Sequence, residues 1–281
     1  MTTNFTIGAD PEFILTRGEQ ICSAIGIVRG SKDEPYVLGN GAGLQTDNVA
    51  VEFATPVCNT VDEFVSSINV TLGLIKRELP IGYGLKAQPS AVFPVEELQH
   101  PQALEFGCTP DYNCWTNTMN PSPQSDNPAL RSFGGHVHIG YVDGSEYRFL
   151  LSRVGKVITT RMCDIFLGVP SVLLDNSNEA QQRRELYGKA GSYRPTSYGV
   201  EYRVLSNFWT TNETLIKFVY HSVNDLLSHI QTRVARKLLN KFDGEFIQHV
   251  INTSSGDKAK EVLMYINEYM SDTTRELYAS N

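Results

Sequence analysis

Residues 5–15 alternate apolar and polar side chains with the period of a β-strand, and residues 48–55 (NVAVEFAT) do so more cleanly. Successive side chains on a strand point to opposite faces. Ile7, Ala9 and Phe13 therefore oppose Gly8, Asp10 and Glu12, and Val49, Val51 and Phe53 oppose Ala50, Glu52 and Ala54. Two further stretches repeat the design. Residues 135–142 set Val137, Ile139 and Tyr141 against His136, His138 and Gly140, and residues 199–206 set Val200, Tyr202 and Val204 against Glu201, Arg203 and Leu205.

Between the strands the period changes. Thr60-Val61-Asp62-Glu63 has the form of a capping box, opening a helix with Phe64, Val65, Ile68, Leu72 and Ile75 on one face and ending near Leu79, before Pro80. Another strand is expected over 83–93, a long helix over 145–167, and helices over 211–241 and 257–277. Residues 99–133 are rich in Pro, Asn, Asp and Ser and are expected to form a long substrate loop or lid, with Phe106, Tyr112 and Trp115 as its aromatic content. Pro11 cannot donate to a ladder, so the first strand is expected to be an edge or bulged there. Strands in the first three quarters with helices closing the chain predict an α+β fold, a single domain over 1–281 with C-terminal helices over 211–281.

Composition narrows the chemistry. The chain has 281 residues, 41% of them hydrophobic and 20% charged, which is ordinary for a globular protein able to bury its own core. With 24 Lys and Arg against 31 Asp and Glu, the formal charge of −7 argues against coating nucleic acid. The N-terminus lacks a basic segment followed by an apolar core, and no apolar run is expected to reach the length of a membrane span. These features point to a cytoplasmic chain with neither nucleic-acid nor membrane partners. The five cysteines (Cys22, Cys58, Cys108, Cys114, Cys163) match no zinc or redox motif and are expected to be reduced thiols.

If the four strands pair, their second faces build a floor of Asp10, Glu12, Glu52, His136, His138, Glu201 and Arg203. Lys and surface Thr, the usual filling of a solvated face, are nearly absent there. Small neighbours (Gly8, Ala50, Ala54, Gly140) leave room beside these groups. Crowded carboxylates repel unless cations neutralise them, and hard oxygen ligands with one or two imidazoles suit Mg²⁺ or Mn²⁺. Arg203 is placed to hold a phosphate beside a metal-bound acid. A second cluster, Arg183 to Arg194, carries Arg183, Arg184, Lys189 and Arg194 with two glycines and a serine, and reads as a flexible anion-binding loop.

These segments resemble the glutamine synthetase and glutamate–cysteine ligase superfamily. Gly8-Ala9-Asp10-Pro11-Glu12-Phe13 is similar to its G-x-E-x-E-F opening strand, with Asp in place of the first Glu. Val51-Glu52-Phe53-Ala54-Thr55 resembles the second acidic strand, and Gly134-Gly135-His136-Val137-His138-Ile139-Gly140 the G-x-H-V-H-V-G strand. Gly199-Val200-Glu201-Tyr202-Arg203-Val204 resembles the late E-x-R strand, and Gly191-Ser192-Tyr193-Arg194-Pro195, more weakly, an N-S-Y-K-R stretch. Order and spacing agree with the superfamily over roughly residues 5–210, and the compact chain most resembles the bacteriophage carboxylate–amine ligase (amidoligase) family, type 2.

The resemblance implies a curved, mainly antiparallel sheet packed by helices, like the glutamine synthetase catalytic domain, holding ATP and two or three Mg²⁺ (or Mn²⁺). It implies an amide bond made through an acyl phosphate from small-molecule or peptide carboxylate and amine substrates, with oligomeric state left open. Asp10, Glu12, Glu52, His136, His138 and Glu201 are then expected at the metals. His138, Arg203, Lys189, Arg183 and Arg184 are expected at the nucleotide, Arg203, Arg194 and Glu52 in catalysis, and Asp111, Tyr112, Trp115 and Arg194 at the substrates. Three rivals stay open: an ATP-dependent phosphotransferase of guanidino-kinase type, an HxH metal-dependent hydrolase, and a non-catalytic binding module.

Overall fold

The computed structural model describes residues 4–104, 111–123 and 125–281. The chain opens with strand β1 (Phe5–Arg17), followed by β2 (Gln20–Cys22), β3 (Tyr36–Val37), β4 (Gly43–Asp47) and β5 (Ala50–Ala54). Helix α1 (Val61–Glu78) leads to β6 (Tyr83–Lys86), β7 (Ser90–Val92) and the one-turn α2 (Pro101–Leu104). Next come β8 (Tyr112–Asn113), β9 (Thr118–Met119), β10 (Leu130–Ser132) and β11 (Gly135–Tyr141). Helices α3 (Arg153–Cys163), α4 (Val169–Leu174) and α5 (Asn178–Leu186) precede β12 (Ser192–Pro195) and β13 (Gly199–Tyr202). The chain closes with α6 (Glu213–Ile230), α7 (Arg233–Lys241), α8 (Gly244–Asn252), α9 (Gly256–Ile266) and α10 (Asp272–Ala279).

Eleven strands among the described residues form one sheet in the order β3-β4-β5-β1-β11-β13-β12-β8-β9, with β2 and β6 pairing the far end of β1. Every ladder is antiparallel. The class is therefore the expected α+β, a mainly antiparallel sheet packed by helices. The apolar faces read from the sequence supply the core: Ile7, Val51, Phe53, Val137, Ile139, Val200 and Tyr202 are all fully buried. Helices seal that face through aromatic contacts, with Phe5 against Tyr220 at 5.6 Å and Phe64 stacked on Trp209 at 5.7 Å. The Trp209 indole N–H donates to Gly135 O, tying this layer to β11. The α1 capping box forms as expected, Thr60 accepting from Glu63 N while the Glu63 side chain accepts from the cap backbone.

Several expectations are corrected. β1 is interior rather than an edge: it pairs β11 from Phe5 to Pro11 and β5 at Glu12 and Phe13. Pro11 falls in a gap of the β5 ladder, between those pairs and the Thr55 N–H bond to Ala9 O, so its missing donor is tolerated. The stretch 83–93 is two strands in different sheets, since β6 joins β1 while β7 pairs β10. Residues 99–133 are less of a loop than expected, because the β8–β9 hairpin extends the main sheet through β12. Phe106 and Cys108 lie outside the described residues.

The helix expected over 145–167 starts later and runs further. Ser152 caps α3, and a π-turn over Asp164–Gly168 joins it to α4. Val169 N–H bonds back to Asp164 O, five residues earlier, and this wider turn lets the chain pass Pro170 without ending the helix. The joined helix, Arg153–Leu174, is long and apolar enough to cross a membrane by length and composition, contrary to the expectation for the chain, but 78% of its apolar 18-residue segment is buried inside the fold. Cys22, Cys58, Cys114 and Cys163 are free and buried, as expected of reduced thiols.

Asp164 lies at the π-turn, fully buried, accepting from Trp115 Nε1 (2.6 Å) and from the Tyr202 hydroxyl (2.9 Å). Burial pushes it from 3.8 to about 7, against the pull of those two hydrogen bonds. An acid raised on folding contributes stability below its unfolded pKa, and that contribution is lost as pH rises through the folded value. The contribution of Asp164 to stability should therefore decline between pH 3.8 and about 7. Asp164→Asn keeps an acceptor for Trp115 and offers a donor to Tyr202, so it should flatten that decline in denaturant midpoints measured across the range. Equal pH slopes in both proteins would count against this.

Candidate metal–phosphate site

Strand register brings the predicted groups together. Asp10 is opposite His136, Gly8 opposite His138, and Glu12 opposite Glu52. His138 and Arg194 both face Glu201, from β11 and β12. Because side chains directly opposite share a face, four strands deliver one polar floor, as the alternation predicted.

The floor divides into two acid clusters. In the first, ligand atoms of Asp10, His136 and Glu201 lie within 4.8 Å of one another. His136 Nδ1 is 3.3 Å from Asp10 Oδ1 and 3.6 Å from Glu201 Oε1. Burial alone would raise Asp10, but His136 and His138 beside it hold its carboxyl well below the usual range. Its Oδ1 is buried yet makes no hydrogen bond. An oxygen so placed, with an imidazole and a second carboxylate in reach, fits a divalent cation of the Mg²⁺ or Mn²⁺ kind.

The second cluster is Glu12, Asp47 and Glu52, again within 4.8 Å. Burial raises Glu12, with Asp47 adding to it against His136. Glu52 is pushed well above its ordinary range by burial, then by Asp10, Glu12 and Asp47. Gln45 Nε2 donates to Glu52 Oε2 at 2.8 Å. Neither Asp47 nor Gln45 was predicted. Both sit on β4, where Leu44 and Thr46 alternate with Gly43, Gln45 and Asp47. The signal was the Asn48 turn: at φ 52° it reverses the chain and pairs β4 with β5.

Cations border the acids. Arg203 bonds Glu201 through Nη1 and lies 3.5 Å from Asp111 Oδ2 through Nε, while Arg194 Nη1 is 3.7 Å from Glu201. A cavity of about 720 Å³ opens over this floor, lined by Asp10, Glu12, Asp47, Glu52, Asp111, His136, Arg183, Arg194 and Arg203 among others. Lys189 and Asp111 line a small adjoining cleft with Asn120 and Ser192. His138 borders Asp10, its Nε2 at 3.3 Å, while Tyr198 contacts its other nitrogen.

The expected flexible anion-binding loop is mostly ordered structure. Arg183 and Arg184 lie on α5 and are buried. Arg183 donates to Val204 O and Arg203 O while still lining the cavity. Arg184 is committed to Ser254 Oγ, Ser171 O and Asp175 O, away from the cavity. Gly188, at φ 72°, passes so close over the Arg183 guanidinium that a Cβ there would collide with it. Trp115 is likewise committed, donating to Asp164 beneath the guanidinium of Arg161. Tyr112 is 40% exposed against Tyr193. Asp111 lines the cavity next to Arg203, and Gln102, Pro123 and residues 130–133 of the predicted substrate loop line it as well.

Comparison with known proteins bears on this site. Residues 129–248 match the profile of the family described as Phage phiEco32-like COOH.NH2 ligase-type 2. That stretch contains His136, His138, Arg194, Glu201 and Arg203, in agreement with the resemblance read from the sequence. Among solved structures, the chain is similar to a bifunctional glutathione synthetase from Pasteurella multocida, with 13% identity, a TM-score of 0.47 and coverage of 98% of this chain. It spans 46% of the length of that synthetase. It is also similar to a novel glutamine synthase homolog, with 12% identity, a TM-score of 0.37 and coverage of 98% of this chain and 70% of that one. No curated protein matches it.

Neutralising one acid of a crowded cluster should relieve repulsion while removing a ligand. Glu52→Gln should melt at or above the wild-type temperature without metal at neutral pH, and should lose the second cluster's share of the upward shift that Mn²⁺ gives the wild type. Cation at a hundredfold over its Kd stabilises by about 2.7 kcal/mol, on the order of 5–10 °C at roughly 2–4 °C per kcal/mol. Thermal melts with and without Mn²⁺ check both halves. An unchanged Mn²⁺ shift in Glu52→Gln would remove the second cluster from consideration.

Proposed function

We propose that this chain is an ATP-dependent carboxylate–amine ligase, forming an amide through an acyl phosphate with Mg²⁺ (or Mn²⁺). The observation that carries the reading is the pairing of two largely buried acid clusters with Arg194 and Arg203 on one floor. The carboxylate–amine ligase profile matching half of that floor supports it.

In this reading Asp10, His136 and Glu201 hold one cation, and Glu12, Asp47 and Glu52 another. Bound there, divalent cations would neutralise the floor and stabilise charge on a transferring phosphoryl group. The substrate carboxylate attacks the γ-phosphorus and ADP leaves. The amine then attacks the acyl carbon, phosphate leaves, and the amine gives up a proton. Arg203 and Arg194 bear on the phosphoryl oxygens, where positioning and fixed positive charge do most of the catalysis. Because both lean on Glu201, their forks are oriented before substrate arrives. Arg183, held by backbone carbonyls at the cavity wall, adds a cation that cannot swing away. His138 presents a ring nitrogen beside Asp10, and Lys189 serves the adjoining cleft.

Asp111, between the cavity and that cleft, is suited to receive the ammonium form of the amine, with Asn120 steadying its Oδ1 at 2.8 Å. Tyr112 and Trp115 serve the substrates indirectly, by anchoring the hairpin that follows Asp111. The geometry gives the hydrolase reading less support: among the described residues, neither acid cluster includes His100, His221, His229 or His249.

ADP release measured with Mg²⁺ across a panel of carboxylates and amines tests the proposal. A stimulating pair should be found, and Glu201→Gln should reduce turnover by at least about a hundredfold, since it removes a metal ligand and the partner of two arginines. Hydroxylamine should trap the acyl phosphate as a hydroxamate. ADP release with a guanidino acceptor and no hydroxamate would instead mark a phosphotransferase.

A further inference from the structure

One side chain reaches the floor from the turn between β12 and β13. The Tyr198 hydroxyl lies 2.6 Å from Nδ1 of His138, while Nε2 of the same ring lies 3.3 Å from Asp10 Oδ1. A neutral imidazole held at Nδ1, with a carboxylate beside Nε2, has one favourable tautomer here. With Nδ1 unprotonated it accepts from the phenol, and the hydrogen sits on Nε2, on the side of the ring nearer the carboxylate. The other tautomer would turn the Nε2 lone pair against Asp10. Burial, then the nearby Glu201 and Asp10, push the Tyr198 phenol up, against a hydrogen bond with Thr196, so it remains a donor.

The turn delivering Tyr198 is fixed at several points. Tyr141 N–H donates to Tyr198 O at 2.8 Å, and Thr196 and Gly199 bond each other through Thr196 N to Gly199 O and Gly199 N to Thr196 Oγ1, both at 3.0 Å. Lys156 Nζ donates to Thr196 O at 2.6 Å, tying the turn to α3. The Tyr198 ring passes over Gly140, where a Cβ would stand 3.4 Å from its Cδ2. Four hydrogen bonds in and around the turn thus hold one phenol against one imidazole.

We infer that Tyr198 is a positioning residue that fixes the His138 ring, its hydroxyl donating to Nδ1 so that Nε2–H is presented over the acid floor. What His138 then does rests on the ligase reading. The grip on the ring does not.

The full chain labelled with ¹⁵N-histidine tests this by long-range ¹H–¹⁵N correlation at a pH where the ring is neutral, with His138→Gln assigning the signals. Wild type should show an unprotonated Nδ1 and a protonated Nε2. Tyr198→Phe should move both nitrogens toward the averaged values of mixed tautomers, and Tyr198→Gln, which keeps an N–H donor, should retain most of the wild-type pattern. Tyr198 is 43% exposed, so losing one hydroxyl leaves the fold intact. Turnover should fall about 10- to 100-fold in Tyr198→Phe, as for other groups that orient a histidine at a metal site, with partial recovery in Tyr198→Gln. Unchanged nitrogens in Tyr198→Phe overturn the inference, as does an equal change in both variants, which marks lost packing rather than a lost donor. If the nitrogens move as expected while wild type shows no ADP release with any substrate pair, the inference stands and the ligase reading falls.

Discussion

Carboxylates buried side by side repel, and much of this structure answers to that repulsion. Asp10, Glu12, Asp47, Glu52 and Glu201 crowd one face of the central sheet within two clusters. Desolvation and mutual repulsion drive Glu52 far above its ordinary range, whereas the neighbouring imidazoles hold Asp10 far below. A fold built only for stability would fill such positions with apolar residues or spread the charges apart. Here the backbone does the opposite, because antiparallel register sets Glu12 directly opposite Glu52 and Asp10 opposite His136 on the same face.

The rest of the fold supports that arrangement. The apolar face of the same strands is sealed by helices through Trp209, Phe64, Phe5 and Tyr220, which leaves the polar face open to a large cavity. Cations are rationed between two tasks. Arg203 and Arg194 lean on Glu201 within the site, whereas Arg184 satisfies buried carbonyls and Arg161 donates to Cys114 O under the β8–β9 hairpin. Asp164 and Trp115 pin that hairpin, so Asp111 enters the cavity from an anchored extension of the sheet rather than from a swinging lid.

Much of the floor was legible in the sequence because a two-residue period fixes which side chains share a face without knowledge of which strands pair. That is why Asp10, Glu12, Glu52, His136, His138, Glu201 and Arg203 could be grouped in advance. Asp47 and Gln45 escaped because β4 offers only Leu44 as an apolar marker, and its placement depends on a turn at one asparagine. The cation cluster was misread for a related reason. Sequence proximity cannot tell a guanidinium aimed at a cavity from one aimed at backbone carbonyls, and Arg184 is of the second kind. Tyr198 carried no signal at all, since its role exists only once β11 and β13 are adjacent.

The central claim is that the buried acids are tolerated because divalent cations belong among them. Anomalous diffraction from crystals grown with Mn²⁺ and a non-hydrolysable ATP analogue tests it most directly. The account predicts one peak among Asp10, His136 and Glu201 and another among Glu12, Asp47 and Glu52, with the analogue's phosphates facing Arg203 and Arg194. A nucleotide seated elsewhere, or a floor that stays free of Mn²⁺ at saturating metal, would contradict it.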